Sequence, residues 1–197
     1  MGQIILSNND IEFLKVQHPK LRYSLEDNSI SGNLEFDLTY TKNANKSLKG
    51  SYSIYFKLET AEGSVLPSVF ETENKIVNIA KRKKIRNVDV HLFNINGELC
   101  IIHPLCVKVR YPNGFDLVTF LHHLQEHFYW VTYFDRYNVA PWAGQSHGDK
   151  GYVELFWQAP NIYSQGVKEY FEQKLRQSLS RPEFRRLMKQ KKKEYNL

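Results

Sequence analysis

Two runs of strict alternation constrain this chain more than any other feature. Leu34, Phe36, Leu38 and Tyr40 alternate with Glu35, Asp37 and Thr39, and Tyr52, Ile54, Phe56 and Leu58 alternate with Ser53, Tyr55, Lys57 and Glu59. Side chains on a strand point to opposite faces in turn, so each run has one apolar and one wet face. An antiparallel sheet covered by helices on one side meets that demand. The polar segment 41–50 between the runs suits a hairpin loop. A third strand is expected over 64–70, bent or placed at an edge by Pro67, which has no N–H to donate.

The flanks read as helix and turn. Ser7 and Asp10 have capping-box spacing ahead of Ile11 and Leu14, and Pro19 ends that short N-terminal helix. Residues 81–86 read as a basic loop, and Val88 and Val90 as the approach to an extended segment. Asn113-Gly114 marks a turn. Leu117, Val118, Leu121, Leu124, Phe128 and Val131 then recur at helical spacing, as in a helix packed on a core. Residues 141–148 have loop composition, and 165–197 read as one or two amphipathic helices joined near Ser180-Arg181-Pro182. The fold class expected is α+β, with an N-terminal helix, an antiparallel meander of about four strands and C-terminal helices. The expected division is a domain over 1–160 and a basic helical extension over 161–197 packing on it.

With 197 residues, 42% of them hydrophobic, the chain can bury one proper core. Its formal charge of +6 is localised. Residues 165–197 carry ten Lys and Arg against four Glu, so the rest is neutral. The tail's cations interleave with Leu175, Leu179, Phe184, Leu187 and Met188, as in a helix that docks its apolar side and leaves its charges in water. An acidic protein or nucleic acid is the alternative use of such a face. Two cysteines six residues apart, with no export signal or bilayer-length apolar run, point to a reducing, cytoplasmic compartment.

The candidate chemistry centres on Cys100, within His-Leu-Phe-Asn-Ile-Asn-Gly-Glu-Leu-Cys-Ile from His91 to Ile101. It follows Gly97 by three residues and His91 by nine. Cys106, in an apolar run without a preceding glycine, reads as core. His122, His123 and His127 lie on the long helix, and the latter two have the spacing of a metal pair. No third ligand accompanies them, so a solvated helix face is expected and no metal or other cofactor. Asp116 and Glu126, ten residues apart on one helix, would stand roughly 15 Å apart, too far for a carboxylate pair. His147 lies in a loop with Trp142, Gly144 and Gly148 that either brings it to the thiol or caps the fold.

The order of helix, antiparallel meander, Gly97-Glu98-Leu99-Cys100-Ile101 and helix resembles the ubiquitin-conjugating-enzyme family. That family carries His-Pro-Asn shortly before a Gly-x-hydrophobic-Cys-Leu site. Here His91 is one residue nearer the cysteine, and Leu92 and Phe93 replace Pro and Asn. The bacterial branch has a Leu-Pro-x-Val-x-Glu flap and a later aromatic helix leading to a Trp, Gly and His segment. Their counterparts are Leu66 to Glu71, Phe128-Tyr129-Trp130 and Trp142 to Gly148. The resemblance covers roughly residues 5–150.

The resemblance implies an enzyme, a transferase that carries a partner's C-terminal glycine as a thioester on Cys100 and passes it to a lysine amine. Exchange between thioesters is nearly thermoneutral, so the thiol needs access more than activation. In the second step one well-placed donor to the oxyanion is worth about 3 to 4 kcal/mol. The candidates for it are His91, Asn94, Asn96 and His103, while the family's own counterpart of His91 shapes the loop. Bacterial relatives serve antiphage cyclic-oligonucleotide signalling (CBASS-type) or related ubiquitin-like conjugation. There the cargo is a nucleotidyltransferase or a ubiquitin-like protein, and activation by ATP comes from a separate enzyme. Neither a membrane nor nucleic acid is the expected partner. The alternatives are a partner-binding module of the same fold without chemistry, and nucleic-acid binding through the tail.

Overall fold

The computed structural model describes residues 2–40 and 46–197. Its elements run β1 (Gly2–Gln3), α1 (Asn8–Gln17), β2 (Leu21–Ser24), β3 (Ser29–Tyr40), β4 (Lys46–Lys57), β5 (Glu59–Thr60), β6 (Phe70–Glu71), α2 (Lys75–Lys83), α3 (Val107–Arg110), α4 (Leu117–Tyr137), α5 (Gly148–Gln158), α6 (Pro160–Leu175) and α7 (Arg181–Glu194), with 3-10 turns at Asn87–Val90 and Pro104–Cys106. The chain is thus α+β. It forms two compact units, residues 1–102 with 110–143, and residues 103–109 with 144–197. Residues 144–160, read from sequence with the first domain, therefore cluster with the C-terminal helices. Among the described residues no helix is long and apolar enough to cross a membrane.

The first unit is built on a four-stranded antiparallel sheet in the order β2-β3-β4-β6, beside a two-stranded β1-β5 pair. Alternation sets its register: Leu34 faces Tyr52, Ile30 faces Phe56 and Leu38 faces Leu48. Gly50 stands opposite Phe36, whose ring occupies the space a side chain would need. Helix α4 covers the apolar face. Tyr52 stacks on Phe128 with centroids 4.3 Å apart, and Phe56 meets Phe120 edge-on at 5.4 Å. Phe56, Phe120 and Phe128 are fully buried, and each contributes about 2 to 3 kcal/mol of transfer free energy. The Ser7/Asp10 capping box opens α1, whose Leu14 is buried.

Several elements depart from expectation. Of the hairpin segment 41–50, residues 46–50 are already strand, because Leu48 continues the buried face of β4; residues 41–45 lie outside the described residues. The third strand shrinks to Phe70–Glu71. Ser64 folds back on Leu66 instead, its hydroxyl accepting from the Leu66 N–H at 3.2 Å, and Pro67 supplies no ladder donor. Half of the supposed basic loop, residues 81–83, belongs to α2, because Ile76, Val77, Ile79 and Ala80 bury one helical stripe. Val88 and Val90, read as the approach to the cysteine segment, lie in a 3-10 turn.

In the second unit α5, α6 and α7 close on Val153, Phe156, Val167, Phe171, Leu179, Phe184 and Met188. The break near Ser180 is a capping box: Glu183 accepts from the Ser180 N–H at 2.8 Å and from its hydroxyl. Phe184 and Met188 of the basic tail pack within this unit.

Candidate functional site

The segment before Cys100 is a braced reversal. The 3-10 turn ends at His91, held in the left-handed region at φ 59°. The chain then doubles back, so that Leu92 bridges Leu99. The His91 carbonyl accepts from the Cys100 N–H at 2.8 Å, and the Phe93 N–H donates to the Glu98 carbonyl at 2.8 Å. Asn94 ties the turn from inside. Its side-chain oxygen accepts from the Asn96 N–H at 2.9 Å, and its amide donates to the Glu98 carboxylate at 2.7 Å. Asn94 is therefore spent on loop shape, whereas Asn96 is exposed.

The Leu66–Glu71 stretch lies alongside this loop. The Glu71 N–H donates to the Gly97 carbonyl at 2.8 Å, and the Leu99 N–H to the Val69 carbonyl at 2.8 Å. Gly97 is required here, because φ is +83° and a Cβ would sit 2.2 Å from the Glu71 carbonyl oxygen. The Glu71 side chain, 1% exposed, turns inward and accepts from the N–H groups of Glu73 at 2.9 Å and Ile76 at 3.2 Å. It thereby satisfies donors that the start of α2 leaves open, which its N-cap Asn74 does not do. Burial raises the Glu71 carboxyl above the usual range against the pull of those donors.

Cys100 itself is a free, half-buried thiol, pushed up to about 11 by burial. The α4 face behind the segment is not solvated, which corrects the expectation for two of its three histidines. His122 is exposed, but His123 and His127 are buried. The apolar stripe of α4 passes through both positions, which is why they point inward. His123 shares a hydrogen bond with the Tyr111 hydroxyl at 2.9 Å and bonds the backbone of Ile101, next to the cysteine; burial pushes it down to about 4. His127 is held well below the usual histidine range by burial, and its Nε2 has no partner among the described residues. Its ring lies 5.8 Å from that of His91, which also meets Trp130 edge-on at 4.4 Å. Burial keeps His123 and His127 neutral near pH 7, so neither forms an ion pair that would hold Cys100 as a thiolate.

Within the first unit the structure thus gathers His91, Asn94, Asn96 and Cys100. His103 and His147 belong to the second. His103 accepts from the Leu105 N–H at 3.3 Å, caps the 3-10 turn and packs edge-on against Tyr152 at 4.5 Å. Burial pushes it down to about 4, His147 adds to the fall, and Glu154 opposes it. His147 is the N-cap residue of α5, and the loop before it is fixed by Glu154, which accepts from the Ser146 hydroxyl at 2.6 Å and from its N–H at 3.0 Å. Cys106 contacts the Tyr163 hydroxyl at 3.7 Å. It is partly exposed rather than core, its turn being held open by Pro104.

Sequence reasoning missed the inward roles of Glu71, His123 and His127. The usable signal for the histidines was their four-residue spacing in line with Leu124 and Phe128. Asp116 caps α4 through the Thr119 N–H at 2.8 Å, and Glu126 instead binds Tyr40 at 2.7 Å and Arg110 at 2.5 Å. Among the described residues no cluster of three or more His, Cys, Asp or Glu is arranged to hold a metal ion. Comparison with protein-family models, with curated proteins and with solved structures finds no match for this chain.

Proposed function

We propose that the chain is a ubiquitin-conjugating-enzyme-like transferase of a bacterial antiphage conjugation system, with Cys100 as its acyl carrier. The observation that carries this reading is the pairing of two separately motif-bearing segments. Leu66 to Glu71 is hydrogen-bonded along Gly97 to Leu99 beside a four-stranded antiparallel sheet, and the chain leaves that pairing at Cys100.

In the first step the Cys100 sulfur attacks the carbonyl of a donor thioester, gives up its proton, and the donor leaves as a thiol. In the second a lysine amine attacks the Cys100 thioester, the carbon–sulfur bond breaks, and Cys100 recovers a proton as the amide forms. A thiol pushed up to about 11 is a poor leaving group. Its thioester is therefore slow to break with water and with amines alike. The His91 carbonyl fixes the Cys100 amide, and Asn94 holds the loop ahead of it. With Asn94 committed, Asn96 is the exposed amide of that loop for a developing oxyanion.

The same half-buried thiol favours a second reading, a partner-binding module with no chemistry. One experiment separates the two. The protein is incubated with a glycine-terminated peptide thioester of mercaptoethanesulfonate and followed by intact mass. A hydroxylamine-labile adduct that vanishes in Cys100→Ala and persists in Cys106→Ala supports the transferase. No adduct, or one that survives Cys100→Ala, rejects it in favour of the module.

A further inference from the structure

We propose that the outer face of α7 binds the phosphodiester backbone of nucleic acid, independently of sequence. The second unit holds twelve Lys and Arg against six Asp and Glu, the entire surplus of the chain. Every one of those six carboxylates is engaged inside the unit. Asp149 takes Lys174 and Tyr170, Glu154 takes Ser146, Glu169 takes Gln165, Glu172 takes Lys168 and the Leu179 N–H, Glu183 takes Ser180, and Glu194 takes Lys191. Helix α7 itself carries seven Lys and Arg against Glu183 and Glu194, of which Glu183 attracts Arg186 and Glu194 pairs with Lys191.

The cations outside these ion pairs have an order. Arg181, Arg185, Arg186, Lys189, Lys192 and Lys193 form no ion pair among the described residues. All but the half-buried Lys192 are exposed. Phe184 and Met188 are buried in the core of the unit, and Arg186, Lys189 and Lys193 lie on the side of the helix away from them. Positions 181, 185, 189 and 192 follow one another at the three- and four-residue spacing of a single helix face. The stripe is about 17 Å long, with a cation at each turn. Lys192 lies 4.3 Å over the ring of Trp157, itself 36% exposed.

The chemistry of the face selects among polyanions. Protein interfaces anchor on apolar and aromatic side chains at their centre and are depleted in lysine there. No large hydrophobic residue of α7 is exposed: the exposed ones of the unit are Val109, Trp157, Ile162, Leu175 and Leu197. Interfaces with nucleic acid are polar and strongly positive, and guanidinium suits phosphate. A purely cationic stripe with half its members arginine therefore fits phosphodiesters better than an acidic protein.

The test is fluorescence anisotropy of the full chain with a labelled mixed-sequence DNA duplex of about 20 base pairs, titrated from about 50 to about 200 mM salt. Contacts by most of the stripe give a slope of log affinity against log salt of about −4 to −5. The triple variant Arg185→Gln, Arg186→Gln, Lys189→Gln retains helix-forming residues and flattens that slope by about 2.7. If circular dichroism shows lost helix, Arg181→Gln with Lys193→Gln is read instead and flattens it by about 1.8. Cys100→Ala binds like the wild type, so the outcome is separable from the acyl-transfer reading. No binding at about 50 mM salt, or an unchanged slope in the folded variants, overturns the proposal. So does competition by polyglutamate as effective as that by unlabelled duplex, which would assign the stripe to an acidic protein.

Discussion

The sheet unit and the helical unit dispose of their polar groups in opposite ways. The first balances its charge, yet places Glu71, His123 and His127 in its interior. The second keeps its buried core apolar, consumes its carboxylates in internal bonds and leaves a cationic surface. Their thiols follow suit. Cys100 has its amide pinned between strand-like partners, whereas Cys106 sits in a local turn beside a tyrosine hydroxyl. Non-local pairing can force polar groups inward around a fixed loop, while a local helical bundle has no need to. Among the described residues the buried titratable groups Glu71, His123 and His127 bond or border the segments that flank the cysteine, while buried Ser29 and Thr60 lie elsewhere in the sheets.

The sharpest way to break that contrast is kinetic. In Cys106→Ala, alkylation of Cys100 by iodoacetamide should rise about tenfold per pH unit above neutrality and level off only near 11, a gain of about 10⁴. A plateau below pH 9 would mean that burial does not govern the thiol. Next comes Gly97→Ala, which drives a Cβ into the Glu71 carbonyl oxygen at a positive φ and should cost about 3 to 5 kcal/mol. Denaturant melts measure that loss, and amide exchange should localise it to residues 66–102. The counterpart in the helical unit is Met188→Ala at a fully buried site, expected to cost about 2 to 4 kcal/mol and to raise exchange in α7.

Acid probes the buried imidazoles. His123 is pushed down from 6.5 to about 4 in the folded chain, so the unfolded chain binds more protons between those values. Its contribution is complete above pH 6.5 and is lost as pH falls towards 4, by at most about 3 kcal/mol. Stability of His123→Gln, measured from pH 7 to 4, should decline less steeply than the wild type. The smallest effects come from the two capping boxes. Ser7→Ala and Ser180→Ala should each cost about 1 kcal/mol, and equal losses in thermal melts would show that local capping is indifferent to which unit contains it.

How legible a segment was depended on the range of the interactions that decide it. β3 and β4 could be read because alternation at Leu34, Phe36, Ile54 and Phe56 is itself the register signal. The box at Ser7 could be read because both partners lie within four residues, whereas at Ser180 only the break between helices was read and not the box that Glu183 completes. Helix α2 was hidden behind its lysines, although Ile76, Val77, Ile79 and Ala80 carried a helical stripe. Helix α5 was hidden by two glycines. One of them, Gly151, is needed where a Cβ would come within 2.0 Å of the Ser146 carbonyl oxygen, a contact that only the folded loop creates. Of the candidate site, the cysteine and its glycine turn were visible as a motif, but the roles of Asn94 and Asn96 were not, because each depends on which way a short loop closes.

The sequence by itself determined an α+β chain with a half-apolar sheet, a long core helix, a basic tail and one cysteine set off by a glycine. Only the tertiary structure decided that Gly97 must lie against Glu71, that His123 and His127 face inward, that Asn94 is a brace, and that most cations of α7 stand outside the second unit's ion pairs. The physical reason is common to all four. Periodicity and capping are settled by neighbours a few residues away, whereas burial, exclusion of a Cβ and charge pairing depend on groups that meet only after the chain has folded.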